Sequence, residues 1–431
     1  MKYGLWKKLI FCFTLVVLLV SSTFIINEND GKIGKSQNTN QLNAIEKPAG
    51  ITAFTINGEN TNLSYNELIN SYVIDKVTCK NGSTAVYDKI ENSLSLSNIK
   101  IPDYCTMNFK HTIYSKLLSD NPTVKTRSDF SQNFTESNTS TLYKSSESIN
   151  GSTSKTVYYF AGNAQNNWVK FAGYYWRIIR TNADGSVRLL FSGTSPDTNE
   201  AYIGKSKFNE DYNSPKYVGY MYGDTDATLA EARTNKNDST IKAFVDNWYE
   251  KNFTKYTKYL SKSSVYCNNR SVTNGEEYSL TSTFFYSGYY RTHYTKGLFT
   301  EINFDCPDIK DAFSVNNTEA KLKYPIALIT GEEIVAAGGK VDTNATVWYS
   351  LNSNNESITG DMWWSTMTPD YFNTTTSNVW RVVGTENLGR YRGGNVYYVN
   401  SVRPVISIAS CALYSSGDGS AESPYEVNGG C

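Results

Sequence analysis

Apolar and polar positions divide this 431-residue chain into five stretches. From Leu9 to Ile26 no charged residue and no Gly or Pro interrupts the chain. As a helix this run would span about 27 Å at about 1.5 Å per residue, close to the roughly 30 Å hydrocarbon core of a bilayer. Residues 1–28 therefore read as a signal anchor, and the polar residues 29–50 as a tether. From 51 to 115 apolar and polar residues alternate. "SYVIDKVTC" places Tyr72, Ile74 and Val77 on buried positions, and "SLSLSNIKI" and "YCTMNF" give further strands. In "KNGS" (Lys80–Ser83), Asn-Gly predicts a hairpin turn because it supplies positive φ angles. A small β-sandwich module is expected here. Residues 116–155 are rich in Ser, Thr and Asn, have little apolar area to bury, and read as a linker.

The large domain is expected over 156–431. "YYWRIIRTNADGSVRLLF" (Tyr174–Phe191) is a strand, an Asp-Gly turn and a second strand. Trp176 and Ile178 share one face, and Arg177 and Ile179 the other. "NDSTIKAFVDNWYEKNF" sets Ile241, Phe244, Val245, Trp248 and Tyr249 on one helical stripe, with Asp238 or Ser239 as cap. In "TGEEIVAAGG", Thr330 and Glu333 form a capping box, and Gly338 and Gly339 end the helix. Glu332 and Glu333 serve that helix start rather than an acid pair. "YPIALI" reads as a strand buried on both faces. Beyond it the pattern returns to β, including "MWWSTM", "NVWRVV" and "SVRPVISI", with a short terminal strand in the tail. The fold class is α+β, predominantly β: a small β-sandwich module, then a large, mainly antiparallel domain with two or three helices.

Charge and cysteine narrow the setting. Lys plus Arg and Asp plus Glu both number 41, so nothing favours a nucleic-acid partner. Lys2, Lys7 and Lys8 precede the apolar run and favour a cytoplasmic N-terminus with the bulk of the chain exported. The expected location is the cell membrane, single-pass, or outside the cell if the segment is cleaved as a signal peptide. Cys12 lacks the small neighbour that lipidation requires. Six further cysteines remain: Cys79, Cys105, Cys267, Cys306, Cys411 and Cys431. Spacing cannot choose among fifteen pairings. The sequential pairing, Cys79–Cys105, Cys267–Cys306 and Cys411–Cys431, keeps each bond within one apparent domain.

Candidate chemistry is sparse. His111 and His293 stand alone, without a nucleophile elbow or C-x-x-C spacing, and no Gly-rich phosphate loop occurs. "GDGS" reads as a turn rather than a calcium loop. No catalytic residue, metal or cofactor is expected. Trp363 and Trp364 are adjacent, so on a strand they point to opposite faces. The following stretch, "STMTPDYFNTTTSN", is expected as a surface loop. The candidate ligand surface is Trp363 or Trp364 with Tyr371 or Phe372, for a glycan or another surface protein.

"NWVKFAGYYWRIIRTNADGSVRLLFSG", "IKAFVDNWYEKNF", "LKYPIALITGEEIVAAGG", "WWSTMTP" and "GDGSAESPYEV" together resemble a group of cell-surface proteins of low-GC bacteria. "VTCKNGSTAVYD" with "CTMNF" is similar to the small β module that precedes this domain in that group. The resemblance implies topology and exposure rather than an activity. "SVRPVISI" is distantly similar to a strand of the fold shared by C-type-lectin-like domains and formylglycine-generating enzymes. The enzyme's cysteine pair has no counterpart, and Thr368, Pro369 and Asp370 lack the amide ligand of the lectin calcium motif, so neither activity is implied. The expectation is a membrane-anchored surface protein acting as a binding or adhesion module. The alternatives are a structural envelope protein and a carbohydrate-active enzyme with a carboxylate pair.

Overall fold

The computed structural model describes residues 24–26, 33–35, 51–65, 67–68, 72–88, 93–128, 130, 141–292, 302–341, 348, 351–384 and 388–431. Most of the expected anchor, including residues 1–23, and most of the tether lie outside these. A short antiparallel pair joins Phe24–Ile26 to Ile33–Lys35. Among the described residues no helix is long and apolar enough to cross a membrane. The chain forms two units, 1–115 and 116–431.

In the first unit, β1 (Ile51–Ile56), β2 (Glu59–Asn60), β3 (Tyr72–Cys79) and β6 (Cys105–His111) form a mixed sheet in the order β2-β1-β6-β3. β4 (Thr84–Asp88) and β5 (Ser93–Ser97) make a separate ribbon. Ile51, Phe54, Leu68, Ile74, Met107 and Phe109 are its core. Tyr72 and Val77 are half-buried, so only Ile74 of the expected trio is fully inside. The Asn-Gly turn is present, but it does not close a hairpin, because β3 pairs with β6 and β4 with β5. Of the two turn residues only Gly82 has a positive φ, whereas the turn that matches a two-residue hairpin needs both. Asp103 holds this turn instead: its carboxylate accepts from the backbone N–H of Asn81 at 2.7 Å and of Ser83 at 2.8 Å. Cys79 and Cys105, directly opposite in register, form a disulfide beside it.

The second unit holds two large sheets. The first has the order β14-β20-β12-β11-β9-β8-β7, with β7 (Thr123–Lys125), β8 (Thr141–Glu147), β9 (Lys155–Tyr159), β11 (Tyr174–Thr181), β12 (Val187–Phe191), β14 (Ile326–Leu328) and β20 (Pro404–Ile408). A side branch adds β10 (Trp168–Phe171), which runs parallel to β22 (Tyr425–Val427) and so ties in the C-terminal tail; β22 also pairs with β21 (Tyr414–Ser416). Residues 116–155 are therefore not simply a linker. The strands β7 and β8 belong to the main sheet, where Leu142, Tyr143 and Glu147 of β8 are buried and its Thr and Ser are half-buried. β14 is buried on both faces, as its unbroken apolar run predicts.

Helix α1 (Ile113–Asp120) leads into β7, and helix α2 (Thr240–Asn252) starts at its cap Ser239, whose side chain accepts from the N–H of Lys242. Ile241, Val245 and Tyr249 are fully buried. Trp248, expected in the core, is half-buried at its edge, with its ring 5.7 Å from Tyr174 and 5.9 Å from Phe191. Lys242 and Asp246 turn inward with the stripe and pair at 2.7 Å. Helix α3 (Gly331–Ala337) carries the capping box between Thr330 and Glu333 and ends on Gly338 at φ 118°.

The second sheet has the order β13-β19-β16-β17-β18-β15, with β13 (Lys205–Ser206), β15 (Lys340–Val341), β16 (Trp364–Phe372), β17 (Ser377–Val382), β18 (Arg390–Asn395) and β19 (Asn400–Ser401). The stretch expected as a polar surface loop, 365–378, is instead most of a buried hairpin. Its hydroxyls find partners inside: Thr366 donates to the Trp380 carbonyl at 2.7 Å, and Thr368 accepts from the Gly331 N–H at 2.7 Å. Composition alone reads Ser and Thr as solvent-facing, and that reading fails where a neighbouring backbone supplies the bond.

Candidate functional site

All three expected disulfides are present: Cys79–Cys105, Cys267–Cys306 and Cys411–Cys431. Among the described residues, Cys79, Asp103 and Cys105 are the one group spaced closely enough to hold a metal ion. The two cysteines are bonded to each other, which leaves one carboxylate. His293 lies outside the described residues.

Buried charge concentrates where β11 and β12 face α3. A register shift between Ile178 and Arg180 puts Arg180 opposite Arg188, on the same side of the sheet. Both then reach the Glu333 carboxylate, at 2.8 and 2.5 Å, and Arg180 also meets Glu147 at 2.9 Å. Burial pushes the Glu333 carboxyl up, but Arg188 and Arg180 outweigh it, and its pKa lies below the usual range. Glu333 thus caps its helix and also neutralises two buried arginines. The adjoining cavity, lined in part by Arg180, Arg188, Asn269, Glu332 and Thr368, measures about 10 Å3. That is room for one water and not for a sugar ring.

A polar cleft of about 410 Å3 opens beside the hairpin turn at Asp184. Its two carboxylates are fully engaged. Asp184 accepts from the hydroxyls of Ser261, Ser263 and Ser264 at 2.5, 2.9 and 3.1 Å, and Glu147 accepts from Ala183 and Arg180. Burial raises the Asp184 carboxyl, and the hydroxyl of Ser186, then those of Ser261 and Ser263 together with the Ser186 N–H, more than reverse it, so it stays ionised. A glycosidase acid must instead hold its proton near neutral pH.

The four residues expected to offer a ligand surface separate. Trp364 is wholly buried, 5.9 Å from the Trp348 ring and 4.6 Å from the Arg403 guanidinium. Phe372 is buried, with its ring near Phe284. Trp363 is half-buried and lies under the Arg381 guanidinium at 3.8 Å. Tyr371 is half-buried against Phe285, with rings 5.5 Å apart. Burial raises its phenol, and the charges of Asp370 and Tyr398 act in the same direction.

Around Trp363 the structure brings together residues that sequence reasoning did not select. Arg381, on β17, packs on both Trp363 and Tyr398, 4.8 Å from the latter ring. Tyr397, Tyr398 and Val399 stand out from the turn between β18 and β19, at 43, 50 and 53% exposure. The turn is fixed on both sides. Buried Val396 accepts from the N–H groups of Phe208 and Asn209, and Tyr398 donates its N–H to the Asn395 carbonyl. Tyr212 meets Tyr397 edge-on at 5.5 Å, and Lys207 lies 3.6 Å over the Tyr397 ring. The signal available in the sequence was "VYYV" after Gly-Gly-Asn: four apolar residues at a turn, too short for a buried strand of their own. No family model, no curated protein and no solved structure matches the chain.

Proposed function

We propose that this chain is an exported, membrane-anchored surface protein whose second unit binds a glycan through the face formed by Trp363, Arg381, Tyr397 and Tyr398. The observation that carries this reading is the clustering of exposed aromatic rings on a rigid turn at one part of a sheet. Large, stiff aromatic planes offer contact area at small entropic cost and lie well against the C–H face of a sugar ring. Three disulfides support an oxidising compartment, in keeping with export. The distant likeness to the C-type-lectin-like fold belongs to the same reading, although Thr368, Pro369 and Asp370, the stretch nearest to that fold's calcium motif, are buried in β16. A structural envelope protein would present a flat polar surface, whereas this face exposes the apolar area of Tyr397, Tyr398 and Val399.

Full-length protein in detergent, passed over a panel of immobilised polysaccharides, tests the reading. Trp363→Ala and Tyr398→Ala should each weaken the best binder about tenfold, the loss expected when an interfacial aromatic anchor is truncated. Unchanged binding in both variants would overturn it.

A further inference from the structure

Arg381 is the unusual residue on this face. It is directly opposite Arg392 across the β17–β18 ladder, and like charges so placed repel. Among the described residues no carboxylate pairs with it. The one polar contact it makes among these residues is a long one, 3.5 Å from Nη1 to the Asn400 amide oxygen, and its Nε is buried without a hydrogen-bond partner there. Its guanidinium instead packs on aromatic rings, 3.8 Å from the centre of Trp363 and 4.8 Å from that of Tyr398, and Gly394 makes room for it: a Cβ there would come within 2.2 Å of Nε. A guanidinium packed on aromatic rings presents its planar fork of donors to a planar or tetrahedral anion. Burial lowers its pKa to about 10, so it is charged at neutral pH. Lys207 adds a second cation over Tyr397, although it shares its charge with Glu210. A local arrangement that costs stability and finds no compensation among the described residues marks a place where an outside group completes the site.

We infer that the ligand is an anionic glycan whose carboxylate or phosphate group is held by Arg381 while a sugar ring lies on Trp363 or Tyr398. This rests on the glycan-binding reading above and specifies its ligand class. The two sources of negative charge, uronic acid and sugar phosphate, share the chemistry that Arg381 recognises.

The test compares three immobilised probes of equal length with the full-length protein: a uronic acid oligomer, a phosphodiester-linked hexose oligomer and a neutral glucan. At least one acidic probe should bind about tenfold or more tighter than the glucan, and that margin should shrink as salt rises. Which acidic probe is preferred identifies the source of the charge. Arg381→Gln should bring the ratio of acidic to neutral binding to about one. Arg381→Lys should restore it only in part, since an ammonium cannot reproduce the planar fork. Gly394→Ala, which keeps the charge and displaces the side chain, should act in the same direction as Arg381→Gln. If the glucan binds as tightly as both acidic probes, or if Arg381→Gln leaves the ratio unchanged, the inference falls. The glycan reading still stands in that case, provided Trp363→Ala and Tyr398→Ala weaken binding. If those two variants are without effect on all three probes, both fall together.

Discussion

Adjacent side chains on a strand point to opposite sides, and Trp363 and Trp364 show what that does to two identical rings. Trp364 is sealed against Trp348 and Arg403, whereas Trp363 keeps one side for Arg381 and solvent. Trp364→Ala should therefore cost about 3–5 kcal/mol in equilibrium denaturation, and Trp363→Ala less than about 1.5 kcal/mol. Equal losses would contradict the burial difference. Adjacency made this division readable from sequence, but not which ring turned inward, because the deciding contacts with Trp348 and Arg403 come from distant segments. Arg381 and Tyr398 were not readable as site residues for the same reason: their stack is made across strands. Glu333 gives a pH-dependent counterpart. Its folded pKa is depressed by two arginines, so its contribution is present above the unfolded carboxylate range and is lost as pH falls through the folded value. The stability gap between the native protein and Glu333→Gln should be widest near pH 7 and narrow towards pH 3, measured by urea midpoints. A gap that widened on acidification would refute the pairing.

At the scale of elements, α2 and α3 were legible because their ends are written in local chemistry, whereas the helices Ile113–Asp120, Leu229–Ala232 and Ser287–Thr292 were not read from the sequence. Ser239 and the Thr330–Glu333 box sit where the caps are needed, and Gly338 takes the left-handed φ that stops α3. Gly338→Ala should then destabilise by about 1–2 kcal/mol, the cost of forcing an L-residue into that region, checked by thermal or urea unfolding. A neutral result would mean that the turn can relax. Strands were legible where they alternate or run wholly apolar, as in β11, β12 and β14. They were hidden where buried hydroxyls bond to a neighbouring backbone, as in β16. The bulge at Ile178–Arg180 is equally silent in the sequence, although it decides which face Arg180 shares with Arg188. Turn residues were informative about position and less so about partners: Asp184-Gly185 closes a true hairpin, whereas Asn81-Gly82 joins strands of different sheets.

For the whole molecule, the disulfides set which parts depend on an oxidising surrounding. The first unit is small, and a domain of that size buries too little surface to be secure on its core alone. Its bond joins Cys79 and Cys105 across the β3–β6 ladder, 26 residues apart in sequence. Closing a loop of that length contributes about 3–4 kcal/mol in the chain-entropy model, a large share of a marginal unit's stability. The second unit rests on two large sheets with buried aromatic contacts, and its Cys411–Cys431 bond ties down only the tail that β22 already carries. Replacing both Cys79 and Cys105 by Ser in the full chain should therefore act locally. Hydrogen exchange over 72–79 and 105–111 should accelerate by roughly two orders of magnitude, as a loss of about 3 kcal/mol requires, while exchange over 174–191 stays as it was. Replacing Cys411 and Cys431 should loosen only peptides near 411–431. If the first pair of substitutions leaves exchange in the first unit unchanged, the core of Ile51, Phe54, Met107 and Phe109 is sufficient without the bond, and the argument from size is wrong.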